Sequence, residues 1–162
     1  MVSKRLIHEE GHKRKFLCVV DSTSECEKAV LYAERRATNT GGALALLFVS
    51  EPESFQHWIG VEEIMKAEAR ENGEAELQKY AQFCREHGSI DPELIFRDGK
   101  TMEQILELVE EDQDISLLVL AAGDSQEGPG PLVSSLGNNI SFSIPVVVVP
   151  SEMTFEDIEN VT

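Results

Sequence analysis

The residues of this chain best placed to do chemistry are an acid and a run of glycines, each standing behind an apolar stretch. Asp21 closes KFLCVVD (15–21), with Ser22 beside it. Gly123 closes ISLLVLAAG (115–123), and Gly128 and Gly130 follow before PLVSSLG, which carries Ser134 and Ser135. A glycine loop entering a helix presents free backbone N–H groups at the positive helix end, an arrangement suited to anions such as phosphate. A carboxylate at a strand end accepts hydrogen bonds from an adenine or a ribose, or caps its own turn. Two features oppose an anion cradle. Pro129 and Pro131 remove two donors, and Asp124 and Glu127 add negative charge where a triphosphate would lie. No Lys or Arg follows Lys100 to compensate. The alternative is a rigid turn between strand and helix.

Nothing else pairs a nucleophile with a base. His8, His12, His57 and His87 have no metal spacing, and there is no HExxH, GxSxG elbow or P-loop. His57, beside Trp58 in the loop after the second apolar run, reads as a surface residue. Glu62–Glu63 and Glu110–Glu111 are adjacent in helical segments, point in different directions and read as solvated. Cys18, Cys26 and Cys84 are odd in number and lack CxxC spacing, which argues against a disulfide framework or a zinc knuckle. Cys18 and Cys84 fall on apolar patterns and read as small core residues. The sequence therefore offers no catalytic constellation, and a cytoplasmic, non-enzymatic protein is expected.

The elements that position these residues alternate. With 162 residues, 41% of them apolar, the chain suits one domain, and no apolar stretch has bilayer-spanning length. Near-continuous apolar runs predict buried strands at 15–21, 43–49, 93–97, 115–123 and 145–150. Between them lie helical patterns. The first starts at a capping-box spacing, Ser24 with Glu27 or Ser22 with Glu25, places Cys26, Ala29, Val30 and Ala33 on one face, and stops at Gly41–Gly42. The second runs over 61–86 with a stripe of Val61, Ile64, Met65, Ala69, Leu77, Tyr80, Ala81 and Cys84, and Gly73 reads as a bend. The third opens on the capping-box spacing Thr101 with Gln104 and buries Met102, Ile105, Leu108 and Val109; a short fourth begins at Pro131. This order predicts a parallel sheet with helices on both faces. Two sheet orders remain open, 3-2-1-4-5 and 2-1-3-4-5. In the first, the chain reverses direction across the sheet between strands one and four. Asp21, Ser22 and the loop behind Gly123 would then face one crevice.

The formal net charge of −16 is uneven. Residues 1–15 carry Lys4, Arg5, Lys13, Arg14 and Lys15 against Glu9 and Glu10, a net of +3, which leaves −19 elsewhere; from Thr101 onward there are twelve Asp and Glu and no Lys or Arg. Such a surface disfavours nucleic acid and anionic membrane as partners. Residues 1–14 read as a flexible basic arm, 15–150 as the domain and 151–162 as an acidic tail that folds back or stays loose.

The segments FLCVVDSTSECEKAV, LALLFV, DGKTMEQILELVEE leading into DISLLVLAAG, and PVVVVP, in this order and spacing, resemble the universal stress protein family across nearly all of residues 15–150. The resemblance implies that family's open sheet of order 3-2-1-4-5, a Rossmann-like fold of the adenine nucleotide alpha-hydrolase type. Many members bind ATP, with Mg²⁺, while others do not and act as dimeric stress-response proteins. Carried over, the resemblance marks Asp21, Val49 and Gly123, and the strand end and glycine loop add Val20, Ser22, Gly128, Gly130, Ser134 and Ser135 to the candidate nucleotide site. This chain departs from the ATP binders' Gly-x2-Gly-x9-Gly-Ser/Thr pattern. Gln126 holds the second glycine's place, and Asn138 follows Gly137 where Ser or Thr would stand. Gly137 also lies too close to Pro145 for the usual helix between them. The segment reads as shortened, with Gly128–Pro129–Gly130 leading straight into the helix at Pro131. The family's last strand commonly pairs with its twin, and here Val146, Val147, Val148 and Val149 form a valine-rich edge that a homodimer would protect. The expected function is a non-catalytic, homodimeric universal stress protein with an altered nucleotide pocket. An ATP-binding sensor and a nucleotide hydrolase are the alternatives.

Overall fold

The computed structural model describes residues 4–51, 60–124, 126, 128–138 and 142–162. Five strands, β1 (Lys15–Val20), β2 (Ala43–Ser50), β3 (Glu93–Asp98), β4 (Ile115–Ala121) and β5 (Val146–Val149), alternate with α1 (Cys26–Thr40), α2 (Val61–Gly88), α3 (Thr101–Glu111) and α4 (Pro131–Ser135), and α5 (Phe155–Val161) closes the chain. The strands form one sheet of order β3-β2-β1-β4-β5, with every neighbouring pair parallel. Of the two orders left open by periodicity, this is the one that reverses between strands one and four.

Period-two alternation sorts the apolar strand residues between two cores. Phe16, Cys18, Val20, Leu44, Leu46 and Phe48 join the face covered by α1, α2 and α5. Leu17, Val19, Ala45, Leu47, Leu118 and Leu120 join the other, with Ile105, Leu108 and Val109 of α3. Both faces are covered, which is why these strands read as unbroken apolar runs. The three cysteines are free and buried. Burial pushes the Cys26 and Cys84 thiols up to about 12 and raises that of Cys18 well above its ordinary value.

Four local readings are corrected by the structure. The residue preceding α1 is Glu25, without a side-chain cap, so neither capping-box spacing there is used. Nor does Thr101 cap α3: Thr101 is its first helical residue, and a residue from β2's end takes the capping role. The outer half of α2 leaves the core, with Val61 47% and Ile64 61% exposed, because burial begins at Gly73. Gly73 itself is no bend within this continuous helix. A Cβ there would lie 2.5 Å from the Phe96 ring and 2.7 Å from that of Phe48, two rings stacked at 5.9 Å. The glycine lets α2 close onto these aromatics.

Residues 4–15 run along the turn between α3 and β4. The Arg5 guanidinium donates to the carbonyls of Val109 (2.6 Å) and Ile115 (3.2 Å), the Leu6 N–H to Gln113 O (3.1 Å), and Lys15 pairs with Asp112 (2.6 Å). The tail folds back. Thr154 and Asp157 form a reciprocal capping box, and α5 packs on α1 with Ile158 fully buried.

One acid is wholly inside. Glu34 of α1 is 0% exposed, accepts a hydrogen bond from Thr38 Oγ1 (2.9 Å), and lies against the end of α2, where a Cβ at Gly88 would fall 1.3 Å from its Oε1. Helix propensity favours alanine over glycine by about 1 kcal/mol, whereas overfilling a packed contact costs about 1–3 kcal/mol. Gly73→Ala is therefore expected to destabilise the protein by about 1 kcal/mol. Urea unfolding checks this, and an unchanged or higher midpoint would contradict the close approach of α2 to Phe48 and Phe96.

Candidate functional site

The register Leu17↔Leu118 and Cys18↔Val119 sets the ends of β1 and β4 level on one side of the sheet. From there the chain diverges. It leaves β1 through α1 on one face and β4 through α4 on the other, the reversal at which open sheets of this kind place their ligand crevice. Asp21 and Ser22 form one wall, and Gly123 and its loop the other.

Both walls are held largely by their own bonds. Asp21 Oδ1 accepts from the Thr23 N–H (2.8 Å) and hydroxyl (2.5 Å), so this oxygen organises the β1–α1 turn rather than capping the helix. Ser22 Oγ accepts from the Asn72 amide of α2 (3.3 Å). On the opposite wall the Gly123 N–H donates to Pro129 O (3.1 Å), and a Cβ at residue 123 would sit 2.6 Å from the Gly128 carbonyl oxygen. The loop thus folds back onto Gly123, and only glycine fits there. Gly128 and Gly130, with φ of 85° and 90°, supply the left-handed turns that bring this about. Asp124 Oδ1 accepts from the Gln126 N–H (3.0 Å).

The remaining residues marked by sequence are distributed as follows. α4 begins at Pro131, as the shortened reading of this segment requires. Its Ser134 N–H donates to Gly130 O (3.0 Å), and the Ser135 hydroxyl turns back to Pro131 O (2.7 Å). Val20 and Val49 fall on opposite faces of the sheet: Val20 is buried in the core under α1 and α2, while Val49 packs with the α3 face. The structure brings Asp21, Ser22, Gly123, Gly128 and Gly130 to one end of neighbouring strands, with α4 directly behind. His57, Trp58 and Glu127 lie outside the described residues. His12 pairs with Asp114 (2.7 Å), and His87 stacks on Phe83. Among the described residues no three His, Cys, Asp or Glu are grouped to hold a metal ion, and no helix is long and apolar enough to cross a membrane. An open groove of about 360 Å³, lined by Glu27, Lys79, Tyr80 and Phe83, lies between α1 and α2 rather than at the strand ends.

Three residues at this end of the sheet escape a reading by motif. Asn72 ties α2 to the β1–α1 turn; its only signal in sequence is a poor helix former in mid-helix. Lys28 of α1 donates to the carbonyl of Ser151, behind β5. Glu51, just past β2, accepts from the Thr101 N–H (2.8 Å) and hydroxyl (2.6 Å) and so caps α3 from another element. Those hydrogen bonds hold its carboxyl below the usual carboxylate range.

The sequence model of the Universal stress protein family matches residues 13–150. No curated protein matches the chain. Among solved structures, the universal stress protein UspA from Lactobacillus plantarum superposes with a TM-score of 0.69 at 17% identity, covering 86% of this chain and 99% of that one. A universal stress protein in complex with cAMP gives 0.62 at 17% identity, over 84% and 96% of the two chains. A universal stress protein family protein from Arabidopsis thaliana with AMP bound gives 0.55 at 14%, over 85% and 91%. At these identities the likeness is one of fold.

Glu51→Ala removes the cap of α3 and is expected to lower stability by about 0.5–1 kcal/mol at neutral pH. The folded-state value of the Glu51 carboxyl is depressed, so its contribution is present above the ordinary carboxylate value and is lost as pH falls through the depressed one. Wild type and variant should accordingly converge in urea midpoint in strong acid. A gap that persists there would assign the effect to something other than the charged cap.

Proposed function

This chain belongs to the universal stress protein family, and from that premise we propose that it is a non-catalytic, cytoplasmic, homodimeric stress protein whose crevice between the ends of β1 and β4 is an altered adenine-nucleotide pocket. The observation that carries this reading is the loop behind β4. It keeps the place and the glycines of a phosphate cradle, yet it is closed upon Gly123 by the Gly123 N–H to Pro129 O bond and by the contact with Gly128 O. Family relatives solved with cAMP and with AMP support adenine-type ligands as the class to test. The absence of any nucleophile–base pair in the sequence supports a binding rather than a catalytic role. Three free, buried thiols are compatible with a reducing compartment.

The homodimer rests on the last strand. β5 ends the sheet, and its inner bonds run through Pro145 O and Val149 O. In a parallel pair the N–H and C=O of one residue point the same way, so those of Val146 and Val148 face outward. An isologous partner strand would satisfy them.

Two measurements test the proposal. Calorimetric titration with ATP and Mg²⁺ is expected to give binding weaker than micromolar, without phosphate release above background; submicromolar binding or turnover would overturn it. Light scattering should return twice the 18.0 kDa chain mass. Val148→Pro, which removes an outward N–H and leaves the β4–β5 bonds intact, should give a folded monomer. A monomeric wild type would end the dimer reading.

A further inference from the structure

We propose that α5 is a releasable latch and that Arg35 of α1 is its switch, one guanidinium claimed both by Glu159 of α5 and by the buried Glu34. α5 lies beyond residue 150, where the match to the family ends, and the latch stands apart from the pocket and dimer readings. Its buried side chain is Ile158, which belongs to the core that includes Ala33 and Ala37 of α1 and Val149 of β5. Polar ties to α1 run along the helix. Lys28 donates to the Ser151 carbonyl ahead of it, Arg35 Nη2 to Glu159 Oε1 (3.4 Å), and the Asn39 amide to Thr162 O (3.0 Å) at its end. Phe155 and Val161 stay exposed. A seven-residue helix held by one buried side chain belongs to the low-stability end of a fold and opens before the sheet does.

Arg35 is stretched between two acids. Its contact with Glu159 is at the long end for a hydrogen bond, and its Nε stands 3.6 Å from Glu34 Oε2, beyond hydrogen-bond reach. Both atoms of that second pair are shut away from solvent, and neither has a hydrogen-bond partner among the described residues. Glu34 is itself held in place, because its Oε1 accepts from Thr38 Oγ1 (2.9 Å) and lies against Gly88 of α2.

Buried polar atoms left unpaired are costly. A small shift of the guanidinium toward Glu34 would satisfy two of them at once, at the expense of Glu159. Two arrangements follow. With α5 docked, Arg35 serves Glu159 and the buried pair stays open. With α5 released, Arg35 closes on Glu34, and the core that Ile158 seals is bared. An interior acid thus opposes the docking of a surface helix, which is what makes the element two-state.

The test is hydrogen exchange of the full chain, followed by NMR at backbone amides and at the Arg35 Nε–H. In Glu159→Gln, a change at an exposed side chain, the amides from Ile158 to Thr162 are expected to exchange about threefold faster, the weight of a surface ion pair, with β1 and β4 unchanged. The Arg35 Nε–H should exchange more slowly by a similar factor, because it has closed on Glu34. Glu34→Gln removes the competing charge and should slow α5 exchange about threefold, an effect that vanishes in an Arg35→Ala background. Glu34→Met, an apolar side chain of similar length that needs no partner, makes the same measurement should the glutamine variant fail to fold. An Arg35 Nε–H that exchanges faster along with α5 in Glu159→Gln overturns the switch. So do Glu34 variants that speed α5 exchange or leave it unmoved. α5 amides that exchange only together with those of β1 and β4 overturn the latch itself.

Discussion

β1 is bonded on one edge to β2 and on the other to β4, and both of its faces are covered by helices. A strand so placed must be apolar on both sides, and its neighbours must be reached by crossovers of one hand. Once β2 and β3 have been laid down on one side through α1 and α2, the chain can reach the other side only by passing α3 across the opposite face. The divergence of the loops after β1 and β4 follows from that change of face, and it needs no ligand to explain it. Everything at the candidate site is set by this reversal: which loops meet, which strand becomes the edge, and why Asp21 and Gly123 are neighbours though about a hundred residues apart.

The rim created there is stitched by its own polar groups. Asp21 holds Thr23, Asp124 holds the N–H of Gln126, Glu51 holds Thr101 and Asn72 holds Ser22. Such bonds satisfy strand ends and helix starts that would otherwise face water unpaired. Groups committed to the fold are less available to a ligand, which is the basis for proposing that the pocket is altered. The glycines show the trade directly. In an open cradle their lack of a side chain lets a phosphate approach. Here Gly123 lets the carbonyl of Gly128 approach instead.

Much of this was legible in the residues. The five apolar runs located all five strands, and apolar stripes at helical spacing located the helices between them. The start of α4 at Pro131 followed from proline's fixed φ and missing N–H. What sequence misjudged were contacts between elements distant in the chain. Ser24 and Thr101 sit at capping-box spacing, but spacing does not reveal that Glu51 reaches α3 first. Gly73 looks like a flaw in a helix until Phe48 and Phe96, on two different strands, are found beneath it. Val61 and Ile64 continue the apolar stripe of α2, but the sheet ends before the helix does and they stay in water. Val20 ends β1 and Val49 stands one residue before the end of β2, and the parity of their positions sends them to opposite faces. Local rules see periodicity and punctuation; they do not see which partner arrives.

The proposed association has to overcome the chain's own charge. The segment from Thr101 onward carries twelve acids and no Lys or Arg, and β5 lies within it, so a two-fold axis along that edge would bring two acidic segments together. Two features make this tolerable. The strand and its flanks from Ser141 to Ser151 are free of charge, and the acid that reaches this strip, Glu110, accepts a hydrogen bond from the Ser143 hydroxyl (3.4 Å). At physiological ionic strength charges more than about 8 Å apart are largely screened. Against that residual repulsion stand the outward N–H and C=O groups of Val146 and Val148, each hydrogen bond worth about 0.5–1.5 kcal/mol net, together with half-buried valine surface. The acids outside this neutral strip then act against other encounters. In the proposed dimer they would discourage contact through the acidic parts of that segment, while the uncharged strip along β5 would let two copies approach.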